Sequence, residues 1–567
     1  MGKLSSHQAS NASKEKDSTD KRGAYSILSP TQKSRKIITF QEVIQTGSFS
    51  SKREVSKLLY IPNSTMQIWV KQKNALQNSK DIVGIFFATP EGSDLLKRII
   101  LASMYNNKCG ASGILGVQEF LRHTGLNGYV ASSDGALQAF WMRCEGSILA
   151  FGKQWEETLS TKIEGKKIAI ASDELFRQGK PCLVAIATVA NYILLEKFTE
   201  DRKATTWKAE LEKAIKSIGV TIEQNTSDLC GALRSTTKSM GAVHSPDLFH
   251  GQYEIAKATS AALSSQERAA EIAIEEIEAK IQKESSRPIP LKKEEKEEHM
   301  EKQKELIKQK NALQVLRDEK KSRREKVQKA KKSLGRIYHP INFDTGKIQS
   351  TTAISKKIDE QFEVISKAAD EAKLGQSSKD RIEKSKRAFD FMKDYFRQYC
   401  ILFLTVLAEL HLNSSQRKFF KEVVFPLAYL QIIWKRLPKE EKERCSSLLS
   451  QLQTQFYTEG PWTVEFKEAL MRRGKELAEQ FQRSSSCVEG RNGVLSLLMH
   501  KFHRINESTL RVLTIVHNFG VRREDGSTAA MRFFDGVHDD LFEHLVKNVS
   551  IPGKPRSQSV IGKQKAA

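Results

Sequence analysis

Two aspartates follow stretches of sequence that have the composition of buried strands. Asp173 comes after Lys167–Ala171, and Asp228 comes shortly after Val220–Asn225. If the two stretches are neighbouring strands of one sheet, both carboxylates lie at the same edge of that sheet. Paired carboxylates suit Mg²⁺ or Mn²⁺, because such a cation takes one or two of them and leaves its other positions to water and phosphate. The alternative is that each aspartate is a turn residue or a helix cap.

A third acidic residue is needed to hold a second ion, and Glu489 is the candidate. The serines at 484–486 are typical of a helix start, which places Glu489 in the first turn of a helix. A glutamate in that turn also favours the helix dipole, whatever its function. With Asp173 and Asp228 it would complete a set of carboxylate ligands for two metal ions. Two ions roughly 3.5–4 Å apart hold the attacking and leaving oxygens of an in-line phosphoryl displacement.

Other residues compete for places in this site. Glu174 is adjacent to Asp173, and Asp247 lies shortly before His250. We rank both carboxylates second, because neither ends a strand in the expected place. His250 either lies near the site and contacts phosphate or packs the helix that follows, and the sequence favours neither alternative.

The elements that would position these residues lie between 166 and 250. The hydrophobic period changes from two in the strands to 3.6 in Ala204–Ile218, so the order is three strands, helix, strand, helix, strand. This is the order of a ribonuclease-H-like domain, in which the first and fourth strands are neighbours. The predicted fold class is α/β, with a mixed-sheet ribonuclease-H-like core, a mostly α N-terminal region and a large all-α insertion. The predicted strands are Lys167–Ala171, Leu183–Thr188, Tyr192–Lys197, Val220–Asn225 and a last one near Val243.

Changes in composition and periodicity divide the chain into six segments. They are a disordered basic tail (1–36), a helical N-terminal DNA-binding region (37–160), the first part of the catalytic core (161–262), a helical insertion with a charged hairpin (263–480), the second part of the core carrying the glutamate (481–552) and a disordered tail (553–567).

The N-terminal region contains the pattern of a helix-turn-helix. Three short helices are predicted, and Ser64 is the expected N-cap of the third. This third helix would present Gln67 and Lys71 to a major groove, with Lys73 near phosphate. The alternative is a small helical bundle that does not contact DNA.

Composition indicates a polyanionic partner. The chain has 567 residues, and its 92 Lys and Arg outnumber its 68 Asp and Glu, which gives a net charge of +24. This balance alone does not distinguish DNA from RNA or from an acidic membrane surface. The seven cysteines are scattered along the chain, and this predicts reduced thiols. The polar N-terminal stretch predicts no signal peptide. The apolar run Tyr399–Leu410 is too short to cross a bilayer.

The helical insertion begins with a densely charged stretch. Apolar residues recur at near-heptad spacing between Lys296 and Leu334, which predicts an antiparallel helical hairpin. The pattern favours a solvated face over a dedicated DNA-binding patch for these charges.

The chain resembles a bacterial insertion-sequence transposase of the DDE class, from a group with a large helical insertion between the second aspartate and the glutamate. The similarity covers roughly residues 37–550. It rests on the order of short motifs at 87–92, 172–176, 200–203, 206–207, 226–228, 243–250, 488–493, 517–519, 525–530 and 532–534.

This resemblance implies that Asp173, Asp228 and Glu489 bind the metal ions, two Mg²⁺ or Mn²⁺. It also implies a homodimer or larger assembly on double-stranded DNA. The DNA would be the terminal repeats of the element and its target. The expected location is the bacterial cytoplasm, at the nucleoid and away from membranes. Arg202, Lys203 and Arg491 are the expected phosphate contacts, because a guanidinium offers two donors to phosphate oxygens.

Two other classes of protein remain as alternatives. One is a non-catalytic DNA-binding protein derived from a transposase, which loss of the acidic residues would indicate. The other is a helical nucleic-acid scaffold protein, which predicts no sheet between 166 and 250.

Overall fold

The structure, a computed structural model, describes residues 30–47, 49, 51–78, 82–110, 112–177, 179–288, 293–501 and 505–555. Most of the two predicted tails, at 1–29 and 556–567, lies outside the described residues. The chain divides into two compact units. One comprises the residues up to Ser147 and those from Phe542 onward, and the other is Ile148–Leu541.

The N-terminal unit is helical. The cluster Phe40, Val55, Ile61 and Met66 is buried between its first three helices, so the predicted group of three helices is confirmed. The helices are α1 (Pro30–Gln45), α2 (Lys52–Leu58), α3 (Asn63–Asn78), α4 (Ile82–Phe87), α5 (Pro90–Cys109), α6 (Gly113–His123) and α7 (Asp134–Ser160).

Two boundaries in this unit differ from the prediction. Disorder was predicted as far as Lys36, but α1 already begins at Pro30, a residue that suits the first turn of a helix. Ser64 is not the N-cap of α3, because that helix begins at Asn63. The carbonyl of Pro62 accepts a hydrogen bond from the Met66 N–H at 2.9 Å, and this places Ser64 inside the first turn.

The second unit contains a mixed five-stranded sheet in the order β3-β2-β1-β4-β5. The pairs β1–β2 and β2–β3 are antiparallel, and β1–β4 and β4–β5 are parallel. The first and fourth strands are therefore neighbours, as predicted, and the stretch between 166 and 250 contains a sheet, which the helical-scaffold alternative did not predict. The elements are β1 (Lys167–Arg177), β2 (Lys180–Ala187), β3 (Tyr192–Phe198), α8 (Ala204–Ile218), β4 (Thr221–Ser227), α9 (Gly231–Ser239) and β5 (Val243–Pro246).

The predicted end of β1 is wrong. Only the pairing with β4 stops at Ala171, whereas the pairing with β2 continues to Arg177, which lies opposite Lys180. The backbone of the polar residues after Ala171 is satisfied by this hairpin, so they extend the strand. Asp173 therefore lies within β1 and not at its end.

The stretch Lys296–Leu334, for which a hairpin was predicted, is one unbroken helix, and it pairs with the helix before it to form the hairpin that begins the insertion. Gln252 donates to the carbonyl of Lys331 at 2.9 Å and Lys310 pairs with Glu278 at 2.8 Å, so its two helices are antiparallel. The helices of the insertion are α10 (Leu248–Ser285), α11 (Lys293–Ile337), α12 (Thr351–Glu371), α13 (Gln376–Glu409), α14 (Ser414–Phe419), α15 (Phe425–Ile433), α16 (Lys439–Thr458) and α17 (Val464–Glu479), with a π-helical turn at Phe420–Val424 and a 3₁₀ turn at Trp434–Arg436. None of the helices in the described part of the chain is long and apolar enough to cross a membrane.

The chain then returns to the sheet. The Asn518 side chain accepts from the Ile193 N–H at 2.9 Å and donates to the Ile193 carbonyl at 3.0 Å, so it occupies backbone groups of β3 that an edge strand would otherwise expose. The returning elements are α18 (Ser486–Lys501), α19 (Glu507–Ile515), a π-helical turn at Val516–Gly520 and α20 (Ala529–Phe534). The last helix, α21 (Leu541–Asn548), belongs to the N-terminal unit except for its first residue.

Candidate active site

The register of β1 and β4 places Asp173 and Asp228 at matching positions. Ala171 pairs with Thr226, and the two aspartates stand two residues further along their strands in the same direction. Both aspartates therefore lie at the same end of the β1–β4 strand pair, and they are close enough for the charge of Asp228 to raise the pKa of Asp173.

Asp173 lies in a partly buried and negatively charged environment. Its Oδ2 accepts a hydrogen bond from Asn492 Nδ2 on α18 at 2.8 Å. Its pKa is raised to about 6, chiefly by burial and also by the charges of Glu174 and Asp228. These causes disfavour the ionised form, and a bound cation would favour it.

Asp228 follows β4 directly and also caps the turn into α9. Its Oδ1 accepts a hydrogen bond from the Cys230 N–H at 2.8 Å. The alternative reading of this residue as a turn or cap aspartate is therefore correct for one of its two oxygens. Within the described residues its Oδ2 has no hydrogen-bond partner, so one oxygen remains for a ligand.

Glu489 lies in the first turn of α18, as predicted, and beside His250 on α10. His250 Nε2 is 3.7 Å from Glu489 Oε1. The pKa of the Glu489 carboxyl is raised by burial and by the charge of Asp247, while His250 opposes the shift. The charge of His250 also opposes the rise in the pKa of Asp173, so the imidazole lies near both Glu489 and Asp173.

Three side-chain contacts hold α18 in place. Before the helix, Asp247 Oδ2 accepts from both the N–H and the hydroxyl of Ser485. Within the helix, Asn492 binds Asp173 on β1, and Arg491 forms two hydrogen bonds of 2.7 Å with Glu196 on β3. These contacts fix both the start of the helix and its rotation, and so they fix the position of Glu489.

Asp247, His250 and Glu489 can place one ligand atom each within 4.8 Å of one another. Asp173 and Asp228 are not in this group. Asp247 is almost fully buried, and besides Ser485 it accepts from the Phe249 N–H at 2.7 Å through Oδ1. Asp247 is thus already used as the N-cap of α10 and as the anchor of α18.

A cavity of about 270 Å³ opens next to this cluster, at the ends of β4 and β5. Acidic and basic side chains both line it, and its two cationic side chains are paired with carboxylates, Lys384 with Glu254 and Arg202 with Glu174. The charged residues and the imidazole in its wall are Arg202, Asp228, Asp247, His250, Glu254 and Lys384.

The predicted phosphate contacts fall into two kinds. Arg202 is half exposed at the cavity and forms an ion pair with Glu174, and Lys203 is exposed and lies 3.3 Å from Asp201. Arg491 is different, because it and its partner Glu196 are buried. Its guanidinium is committed to that carboxylate, so we remove Arg491 from the phosphate contacts.

The predicted DNA-reading residues lie on α3 of the N-terminal unit. Gln67 and Lys71 are exposed on that helix. Lys73 is partly buried and donates to Gln41 Oε1 on α1 at 2.8 Å. Gln67 and Lys71 are thus accessible to a ligand, and Lys73 would have to exchange its bond to Gln41 for one to phosphate.

The sequence prediction did not assign roles to Asn492, Ser485 or Glu196. Asn492 carried a usable signal, since it stands three residues after Glu489 and so shares its helix face. Ser485 belongs to a serine cluster that marks a helix start but does not specify a partner. Glu196 is an ordinary alternating strand residue, and nothing near it in the sequence indicates Arg491.

Comparison with known protein families gives a match over part of the chain. Residues 420–561 match a family of unknown function, DUF6399. The matched region includes Glu489 and the α18 side of the three contacts, but it does not include Asp228 or the contact partners Asp173, Glu196 and Asp247. No curated protein matches the chain.

Proposed function

We propose that this chain is a DDE-class transposase of a bacterial insertion sequence, which cleaves and joins DNA by metal-dependent phosphoryl transfer. One observation carries the proposal. Asp173 and Asp228 share a sheet edge, and Glu489 lies on a helix that is hydrogen-bonded to Asp173 through Asn492.

The architecture of the second unit supports this proposal. Three antiparallel strands followed by two parallel ones, in the order β3-β2-β1-β4-β5, are the arrangement expected of a ribonuclease-H-like sheet. The helical insertion stands between Asp228 and Glu489, where the resemblance requires it.

The residues present fit a divalent cation. The donors at the sheet edge are carboxylate oxygens, the ligands that Mg²⁺ and Mn²⁺ prefer. Asn492 Oδ1, next to Asp173, is buried without a hydrogen-bond partner among the described residues. Asp173, Asp228 and Glu489 would hold the ions, and a metal-bound water could satisfy this amide oxygen.

The role of each side chain follows from its contacts. Asn492 orients the Asp173 carboxylate, and Asp247 sets the position of Glu489 through Ser485. His250 lies where it can donate to Glu489 or to a phosphate oxygen, and Arg202 balances Glu174 at the rim. Bound divalent ions supply stabilisation of the attacking and leaving oxygens of the displacement.

Two successive displacements would make up the reaction. Hydrolysis adds water across a P–O3′ bond and leaves a 3′-hydroxyl and a 5′-phosphate. That 3′-hydroxyl then loses its proton and attacks a phosphodiester of the target, whose own 3′-oxygen leaves and takes up a proton. Each step exchanges one P–O bond for another, so no oxidant or high-energy co-substrate is needed.

The expected partners follow from the same proposal. The net charge of +24 suits a DNA substrate, and α3 would read the terminal repeats through Gln67 and Lys71. Because two ends must be cut and joined together, a dimer or larger assembly is expected on the DNA, at the bacterial nucleoid.

The direct test is a cleavage assay on DNA that carries the ends of the element, with and without Mg²⁺. We expect cleavage only with the metal, and we expect Asp228→Asn to reduce it by at least a thousandfold while DNA binding is retained. Glu223→Gln is the matched control, because Glu223 lies near the opposite end of β4 and is partly exposed. Cleavage that survives Asp228→Asn would remove this residue from the site.

A further inference from the structure

The charges on α11 are unevenly distributed. Its first part, residues 293–310, has six basic and six acidic residues, and we call it the distal neutral segment. Its last part, residues 317–336, has ten basic and three acidic residues, and we call it the proximal basic segment. The predicted solvated face therefore consists of two regions with different electrostatics.

The antiparallel pairing with α10 places these two segments at different distances from the candidate site. Gln252, which donates to the Lys331 carbonyl, is two residues from His250. Lys310 instead pairs with Glu278, about 40 Å further along α10 if that helix is straight. The basic end of the hairpin is thus the end beside the site.

Four lysines of the proximal basic segment are exposed: Lys321, Lys326, Lys329 and Lys332. None of them forms an ion pair within the described residues. By contrast, Arg324 pairs with Glu267 and Arg336 with Asp344. The four lysines therefore carry positive charge that no ion pair within the described residues neutralises.

A cleft of about 730 Å³ continues this surface toward the site. Its walls carry five basic side chains. Arg336 pairs with Asp344 and Glu441, Lys439 pairs with Glu443, and Arg483 donates to the Gly335 carbonyl. Lys332 and Arg436 are therefore the basic side chains of the wall that have no such partner within the described residues. Phe249, the neighbour of His250 in the chain, is exposed and also lines the cleft. The basic residues are Lys332, Arg336, Arg436, Lys439 and Arg483.

We infer that the proximal basic segment and this cleft bind the sugar-phosphate backbone of duplex DNA next to the bond that is cut. Lys321 and Lys332 are about 17 Å apart along the helix, and duplex DNA carries a charge about every 1.7 Å. A row of unpaired lysines over that length matches an extended polyanion and not a small anion. The inference rests on the proposed function for its substrate.

The test is equilibrium binding of the full chain to a fluorescent DNA duplex of about 40 base pairs in EDTA, where no cleavage occurs. The variant is Lys329→Glu/Lys332→Glu. The matched control is Lys304→Glu/Lys308→Glu, which makes the same charge change at exposed positions of the distal neutral segment. Thermal unfolding checks that each double variant is folded. If a variant with two glutamates does not fold, the same two lysines are replaced by glutamine and the measurement is repeated.

We expect the proximal variant to bind at least tenfold more weakly and the control to change by less than twofold. The slope of log affinity against log salt should also become shallower by about 2, since two phosphate contacts are lost. Equal effects from the two variants, or no effect from the proximal one, would overturn the inference. Loss of binding to anionic lipid vesicles with unchanged binding to DNA would also overturn it.

The two proposals can fail separately. If the lysines bind DNA but no metal-dependent cleavage occurs, only the proposed chemistry is wrong. If the chain cleaves DNA but Lys329→Glu/Lys332→Glu binds it normally, only this surface is wrong.

Discussion

The strand acids and the helix acid of the candidate site are held in different ways. Asp173 and Asp228 are positioned by the backbone of β1 and β4, because each stands two residues beyond the last pair of the two strands, Ala171 with Thr226. Glu489 is fixed by side chains, through Ser485, Arg491 and Asn492. A single substitution can therefore displace Glu489, whereas no single side chain controls the separation of the two aspartates.

This difference gives the helix contacts a specific role. They lie outside the set of predicted metal ligands, yet under the proposed function they would determine whether Glu489, which groups with Asp247 and His250, reaches the two aspartates. Substitutions at these contacts should reduce activity in proportion to how firmly each one holds α18, and equivalent changes on the strands should have little effect.

Arg491→Leu should have the largest effect on stability. It leaves Glu196 buried without its cation, which typically costs about 3–5 kcal/mol. The free energy of unfolding from urea titration measures this loss. The double variant Arg491→Leu/Glu196→Leu should recover more than half of it, since no charge then stays buried. A double variant as unstable as the single one would show that the pair does not hold the helix in this way.

Asn492→Ala should have a smaller effect on stability and a clear effect on activity. It removes the hydrogen bond to Asp173, and partners of this kind typically change metal affinity or activity about 10–100-fold. Cleavage measured across a Mn²⁺ titration should show both a weaker metal dependence and a lower maximum rate. Val494→Ala, at an exposed position of the same helix, is the control. Identical metal dependence in Asn492→Ala and wild type would contradict a positioning role.

Ser485→Ala should have the smallest effect. It removes one hydrogen bond to the buried Asp247 and leaves the weaker bond from the Ser485 N–H, so about 1–2 kcal/mol of stability is lost. The loss of activity should be smaller than the loss in Asn492→Ala. The exposed Ser486→Ala is the matched control in the same serine cluster. An activity loss larger than that of Asn492→Ala would reverse the ranking of the two contacts.

The strand side of the site was largely predictable from the sequence. Period-two runs and one helix with a 3.6 period give the element order, and the order implies that β1 and β4 are neighbours. The end of β1 was missed because the polar residues from Ser172 onward resemble a turn, although their backbone pairs with β2. Pairing depends on the backbone of both strands, and the side chains of one strand do not reveal it.

The helix side was less predictable, for a physical reason. A helix start near Ser486 follows from local composition, but the contacts that orient the helix join residues far apart in the sequence. Arg491 and Glu196 are separated by 295 positions, and Ser485 and Asp247 by 238. Nothing local distinguishes a buried arginine paired with glutamate from an arginine that binds phosphate, so Arg491 was assigned to the wrong partner.

The central claim is that three carboxylates, two on strands and one on a helix, surround one metal site. The most direct measurement replaces Mg²⁺ with Fe²⁺ and generates hydroxyl radicals with ascorbate and peroxide. The radicals cut the polypeptide backbone next to the bound ion, and mass spectrometry locates the cuts. We predict cuts close to Asp173, Asp228 and Glu489, all suppressed by excess Mg²⁺ and by Asp228→Asn. Cuts near the two aspartates without any near Glu489 would contradict the account.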